Sequence, residues 1–172
     1  MKQTKKILVI IQRSNGDVFL SSPLINTLYE NYEDVQIDLL INDDTLAIAK
    51  TLAHISYIHT FSYQKKKENR LAQEKQIIKN ISRKYNLSIN LIASVRSVQY
   101  AILASKFSIS AVEKDTKKSW WKNLFLSYSY PFDTNISIIK NNIQALKYLD
   151  IKLPNIELTS SLKKDAKKSI ES

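Results

Sequence analysis

"KILVIIQRSNGDVFLSSPLINTLYE", Lys6 to Glu30, decides the architecture. Ile7 to Ile11 is an unbroken apolar, mostly β-branched run, the pattern of a strand buried on both faces of a parallel sheet. A polar loop, "QRSNGD", follows. Leu24, Ile25, Leu28, Tyr29 and Tyr32 then recur at helical spacing, with Pro23 suited to the first turn. Strand, tight loop and helix open a βαβ unit, and the rest of the chain repeats that alternation.

Gly16 is the only glycine among 172 residues. Glycine is required where the backbone must reach positive φ or where a neighbour comes too close for a Cβ, and elsewhere it weakens the fold. Its position in the loop after the first strand marks such a demand. Asn42, Asn86 and Asp150 are the expected substitutes for glycine in turns, because Asn and Asp tolerate left-handed backbone.

Working outward, Val35 to Ile41 reads as a second strand, Thr45 to Ala53 as a short helix and Ile55 to Phe61 as a third strand. Leu71, Ile77, Ile78, Ile81 and Tyr85 stripe a long charged helix before "SINLI", Ser88 to Ile92, returns to strand. A helix near Ser97 to Ser105 and a weak strand at Ser108 to Val112 continue the series. "KDTKKSWWKNLFLSYSYPF" has no clear period. Ile136, Ile139, Ile143, Leu146 and Leu149 mark a last amphipathic helix. Alternating strands and helices predict an α/β, Rossmann-like doubly wound parallel sheet, whose ligands bind beyond the carboxyl ends of the strands. Residues 1–152 make that domain. Residues 153–172 read as a linker and the start of an interdomain helix, with a second, donor domain absent.

A chain of this length suits one domain with a real core. No apolar run reaches membrane-spanning length, and Ile7 to Ile11 is too short for a signal peptide. With no cysteine, disulfides and thiolate metal sites are excluded, which fits a cytoplasmic location. Lys and Arg outnumber Asp and Glu by 26 to 16, a formal charge of +10 that favours anionic partners such as phosphates or an anionic membrane face. Its lysine groups, 65–67, 117–118 with Lys122, and 163–164 with 167–168, follow no nucleic-acid motif and read as solvated surface. Nucleic acid is not an expected partner.

The first loop has neither G-x-G-x-x-G nor a P-loop pattern, so neither nucleotide fingerprint applies. It offers instead backbone N–H groups around Gly16 for an oxygen-rich ligand, and the carboxylate Asp17 with Arg13, Ser14 and Asn15 just before it. Two roles fit Asp17: a helix cap or a catalytic base. Arg13 and Arg96 have the fork geometry for phosphate or carboxylate, or serve as surface charge. Trp120 and Trp121 suit a core or docking surface better than sugar stacking. His54 and His59 lack acidic or metal-binding neighbours in sequence and read as structural.

The segment "KILVIIQRSNGDVFLSSPLINTLYENYEDVQIDLLIN" resembles the start of the ADP-heptose:lipopolysaccharide heptosyltransferases, glycosyltransferase family nine. Arg13, three places before Gly16, is similar to the heptosyltransferase III type. "INLIASVRSVQYAILASKF", "KKSWWKNLFL" and "NNIQALKYLDI" fall in the family's order, with departures at Ile11, Ala93 and Lys140. The likeness spans about residues 5 to 152.

That resemblance implies the N-terminal half of a GT-B glycosyltransferase. Such enzymes transfer heptose from ADP-heptose to the lipopolysaccharide inner core with inversion and without a metal ion in the chemical step. It makes Asp17 the base, and Arg13, Ser14, Asn15, Gly16 and Arg96 the acceptor-binding residues. A placed base contributes ~10²–10⁴-fold. A carboxylate is a weak base at neutral pH, so proton transfer runs late, as the C–O bond forms. No cofactor and no metal site are expected, and ADP-heptose falls mainly to the absent second domain. Expected partners are the inner-core acceptor, a carboxyl-terminal donor domain and the anionic inner membrane face, to which the protein would be peripheral. Alone, the chain is expected to be catalytically silent. Two alternatives stay open: a non-catalytic module that binds anionic glycan, and an unrelated doubly wound nucleotide-binding domain.

Overall fold

A computed structural model describes residues 4–154, apart from the side chains of residues 65–68 and 116–119. In chain order the elements are β1 (Lys5–Ile11), α1 (Asn15–Phe19), α2 (Ser22–Asn31), β2 (Val35–Asn42), a 3₁₀ turn (Asp43–Thr45), α3 (Leu46–Ala49), β3 (Ile55–Phe61) and α4 (Tyr63–Ile81). They continue with β4 (Leu87–Asn90), α5 (Val95–Ala104), β5 (Ser108–Val112), α6 (Thr116–Phe125), β6 (Tyr128–Pro131), α7 (Ile138–Gln144) and a 3₁₀ turn (Ala145–Tyr148). All six strands are parallel, in the order β3-β2-β1-β4-β5-β6.

This order follows from the apolar pattern. The most continuous run, Ile7 to Ile11, is at most 2% exposed and takes the centre of the sheet, between β2 and β4. Each side chain so buried is worth roughly 1.5–3 kcal/mol, so β1 anchors the fold. Ile7, Val9 and Ile11 pack beneath Val18 of α1, Leu24, Ile25 and Leu28 of α2, and Ile143 of α7. Leu8 and Ile10 face the other way, toward Ile77 and Ile81 of α4 and Tyr100, Ala101 and Ala104 of α5. β3, in which only Phe61 is fully buried, and β6, which ends in Pro131, occupy the edges where such sequences are tolerated. The chain first winds from β1 to β3, then returns through α4 to the other side of β1. The carboxyl ends of β1 and β4 therefore form the switch point at which a doubly wound sheet opens a crevice.

The doubly wound sheet expected from the sequence is the one observed. Several local readings are corrected. The stretch "QRSNGD" is not all loop, because Ser14 caps the short helix α1, which contains Gly16. Gly16 has no positive φ, and an added Cβ would meet nothing nearer than Ser14 Oγ at 3.9 Å. No intramolecular demand therefore keeps it. Positive φ falls on His54 (66°) and Arg83 (53°), not on Asn42, Asn86 or Asp150. The stretch without a clear period holds α6 and the edge strand β6. The linker expected from residue 153 lies, beyond Pro154, outside the described residues. Among those described, no helix is long and apolar enough to cross a membrane.

Two further readings change because distant segments meet. Lys122, grouped in sequence with surface lysines, is fully buried, where its ammonium donates to Ala93 O at 2.8 Å and pairs with Glu113. His59 gains acidic company in space: its Nε2 lies 2.9 Å from Tyr85 Oη, which donates to the buried Asp38 at 2.7 Å. Burial holds the His59 imidazole below its ordinary value, Asp38 opposes that and Lys84 adds to it. Burial and the bond to Asp38 push the Tyr85 phenol up. Asp38 also accepts from Gln36 at 3.1 Å, so this network serves to satisfy a carboxylate buried inside β2.

Candidate active site

Local sequence builds the site at the end of β1. Once Ile11 has closed the buried run, Ser14 takes extended backbone (φ −69°, ψ 165°) and acts as N-cap of α1. The cap is reciprocal: Asp17 N–H donates to Ser14 Oγ at 3.4 Å, and Ser14 Oγ–H donates to Asp17 Oδ2 at 2.7 Å. Arg13 Nε approaches the same oxygen at 3.6 Å, from a side chain 40% exposed. The Asp17 side chain is 15% exposed. Among the described residues no hydrogen bond reaches its second oxygen, Oδ1. Two neighbours fix one carboxylate oxygen and leave the other able to accept.

The wall beside Asp17 comes from the far end of the sheet. Arg13 lies over the Phe132 ring at 5.2 Å. A narrow crevice beside them is lined by Ile11, Leu91, Phe132, Ile138 and Asn142. Buried amides hold that wall: Asn141 accepts from Asp133 N at 2.9 Å and donates to Asp133 O at 2.7 Å, and Asn142 donates to Leu20 O at 3.3 Å. Across the switch point, Asn90 Nδ2 donates to Ile92 O and to Ser110 Oγ, while Lys122 grips Ala93 O. These residues shape both rim loops. In sequence Asn90, Asn141 and Asn142 are polar positions inside apolar segments, the one signal that marks them.

The predicted site residues fall into two groups. Arg13, Ser14, Asn15, Gly16 and Asp17 stand together on the α1 side. The backbone N–H groups of Asp17 and Val18 are already taken by Ser14 Oγ and Ser14 O, so these two amides do not point at a ligand as the loop reading expected. Asn15 and Gly16 are exposed. Arg96 lies apart from them, at the start of α5 on the opposite face of the sheet. Its guanidinium sits 3.8 Å over the Phe61 ring and donates to Tyr63 Oη at 2.8 Å. Trp121 joins the small core beneath α6 and Trp120 is exposed.

Fold and rim together define a class of architecture: a Rossmann-like, doubly wound α/β domain with a carboxylate at its switch point. No protein-family model matches the chain. Its curated relatives are lipopolysaccharide heptosyltransferases 3. One from Escherichia coli is 25% identical over 142 residues, covering 81% of this chain and 41% of that protein. Another, from strain K12, is 28% identical over 148 residues, again 81% of this chain and 41% of that protein. Among solved structures, E. coli heptosyltransferase WaaC with ADP-2-deoxy-2-fluoro heptose superposes with a TM-score of 0.72 at 15% identity, over 87% of this chain and 50% of that one. A glycosyl transferase family 9 structure from Veillonella parvula DSM 2008 gives 0.71 at 17% identity, over 88% and 43%. The resemblance to heptosyltransferases, and so to glycosyltransferases, read from the sequence is borne out. The chain spans less than half the length of the curated relatives it matches.

Proposed function

We propose that this chain is the acceptor-binding half of an inverting glycosyltransferase of lipopolysaccharide inner-core synthesis. In this reading residues 1–152 form the acceptor domain and residues 153–172 lead to a donor domain that holds ADP-heptose. One observation carries it: a carboxylate at the switch point with one oxygen held by Ser14 and Arg13 and the other unbonded. An acceptor hydroxyl would donate to Asp17 Oδ1. As that hydroxyl oxygen forms its bond to the anomeric carbon, its proton passes to Oδ1, and the bond from that carbon to the ADP phosphate breaks on the opposite face.

Holding Asp17 through Oδ2 removes rotational freedom that a free carboxylate would lose on reaction, which is how a weak base contributes. Arg13 lies beside this carboxylate and would meet a negative group of the acceptor without releasing Asp17. Asn15 and Gly16 present an uncluttered surface over which the acceptor lies. Donor and acceptor are thus divided between the two lobes, and the single lobe binds without turning over. The formal charge of +10 supports association with the anionic inner membrane face, where a lipid-linked acceptor resides.

Titration of the 172-residue chain with deacylated inner-core oligosaccharide and, separately, with ADP tests this division. Oligosaccharide binding that Arg13→Ala weakens is expected, with much weaker ADP binding. Tight ADP binding with no oligosaccharide binding would replace this reading with a nucleotide-binding domain.

A further inference from the structure

The contact between Arg13 and Asp17 does not hold itself in place. Nε and Oδ2 are 3.6 Å apart, longer than a hydrogen bond, and the Arg13 side chain is 40% exposed. An ion pair of that geometry does not immobilise an arginine, because water screens the charges and the long side chain resists losing its rotamer freedom. A second contact fixes it. The Arg13 guanidinium lies over the Phe132 ring at 5.2 Å, within the range at which an aromatic face attracts a cation.

The ring is anchored independently of the arginine. Phe132 stands just past β6, half-buried against the core cluster that contains Ile11 and Ile143. Its N–H donates to Val112 O at 2.9 Å, which carries the pairing of β5 with β6 one residue beyond Pro131. On its other side the Asp133 backbone is clasped by Asn141, and Asp133 Oδ1 accepts from Lys114 Nζ and from Asn135 N, each at 2.9 Å. With the backbone fixed from β5 and α7, the ring sets the place of Arg13 and not the reverse. Phe132, Ile11, Leu91 and Ile138 also close a crevice against Asp17 that is too narrow for a water molecule. That flank of the pair is dry, where charges act on each other more strongly than in solvent.

We propose that Phe132 is a positioning residue for Asp17. Its face holds Arg13, Arg13 and Ser14 hold Oδ2, and Oδ1 is thereby turned toward the acceptor hydroxyl. The inference rests on the acceptor reading above and extends it to the end of β6, a segment in which the sequence pattern marks no site residue. A leucine at this position would seal the crevice as well as phenylalanine does, but it has no π face for a guanidinium. The ring, and not its bulk, is what the site uses.

The test compares Phe132→Leu with Phe132→Tyr in the 172-residue chain carrying isotope-labelled arginine. The NMR signal of Arg13 Nε–H, assigned by its loss in Arg13→Lys, should stand apart from that of a solvated arginine in the parent and in Phe132→Tyr. In Phe132→Leu it should move to the solvated position. The same chains, each joined to the donor half of E. coli heptosyltransferase 3, are assayed for heptose transfer. In Phe132→Leu kcat is expected to fall about two- to fivefold, the worth of a partly exposed cation–π contact. The acceptor KM should stay within about twofold, because Arg13 keeps its charge, and Phe132→Tyr should match the parent. In an Arg13→Met background Phe132→Leu should lower kcat no further, since the two side chains act as a unit.

An Arg13 signal unmoved in Phe132→Leu, a kcat equal to that of the parent, or a Phe132→Tyr as slow as Phe132→Leu overturns the proposal. If Phe132→Leu does not fold, Phe132→Met takes its place with the same outcomes, and if the joined chain is inactive the Arg13 signal alone decides. Transfer that needs Asp17 but is indifferent to Phe132→Leu removes this role and leaves the proposed function. An Arg13 signal that follows the ring in a chain that binds no oligosaccharide leaves the contact and removes the proposed function.

Discussion

Replacing Lys122 by methionine puts the strongest demand on the packing described above. The ammonium is 0% exposed, bonded to Ala93 O and paired with Glu113, whose side chain remains 35% exposed. Breaking a buried pair by removing one partner costs about 3–5 kcal/mol when the other charge is left dry. Glu113 can rehydrate, so that part of the penalty falls. What persists is the loss of a charge-assisted bond to a carbonyl, about 1.5–3 kcal/mol, partly offset by apolar burial of the methionine. A net loss of about 1–2 kcal/mol lowers the unfolding midpoint by roughly 2–8 °C in a domain of this size. Thermal unfolding followed by circular dichroism reads this directly. A drop below about 1 °C, the behaviour of a solvated lysine, would refute the claim that Lys122 holds the β4–α5 loop.

Two other predictions concern stability. The His59 pKa lies below its unfolded value, so the unfolded chain takes up the proton first. The contribution of His59 is complete above the unfolded value of about 6.5 and is lost as pH falls through and below it. The wild-type midpoint should therefore decline on acidification from about pH 7.5 to 5.5 more steeply than that of His59→Gln, and equal slopes would contradict this. Gly16→Ala, in a helix and with room for a Cβ, should raise stability by about 0.5–1 kcal/mol while weakening oligosaccharide binding. A loss of stability instead would restore an internal reason for the glycine.

The order of strands and helices was legible because the helices carry their own period and the strands are short β-branched runs: "KILVII" has the length and composition of a strand buried on both faces, and β3 matches its predicted span residue for residue. The Arg-x-x-Gly-Asp loop was legible as a motif, but its geometry was not. That Ser14 and Arg13 share one oxygen of Asp17 depends on a cap turning back on itself, and a sequence shows only that a cap is possible. Lys122 was misjudged, and the partners of the structural His59 were missed, for another reason. Their partners, Glu113 with Ala93 and Tyr85 with Asp38, arrive through strand order and crossovers, and no local pattern encodes that meeting. α6 and β6 were missed because Trp120, Leu124 and Phe125 are exposed and so blur the helical stripe, while β6 has only Tyr130 well buried.

The measurement closest to the central claim is sugar transfer by a chimera in which residues 1–152 replace the corresponding half of E. coli heptosyltransferase 3. With Asp17 intact, Asp17→Asn and Asp17→Ala compared, the account predicts that kcat falls ~10²–10⁴-fold in both variants while the acceptor KM stays within about threefold. An active chimera in which Asp17→Asn turns over at the parent rate would show that the carboxylate at the end of β1 is a helix cap and nothing more.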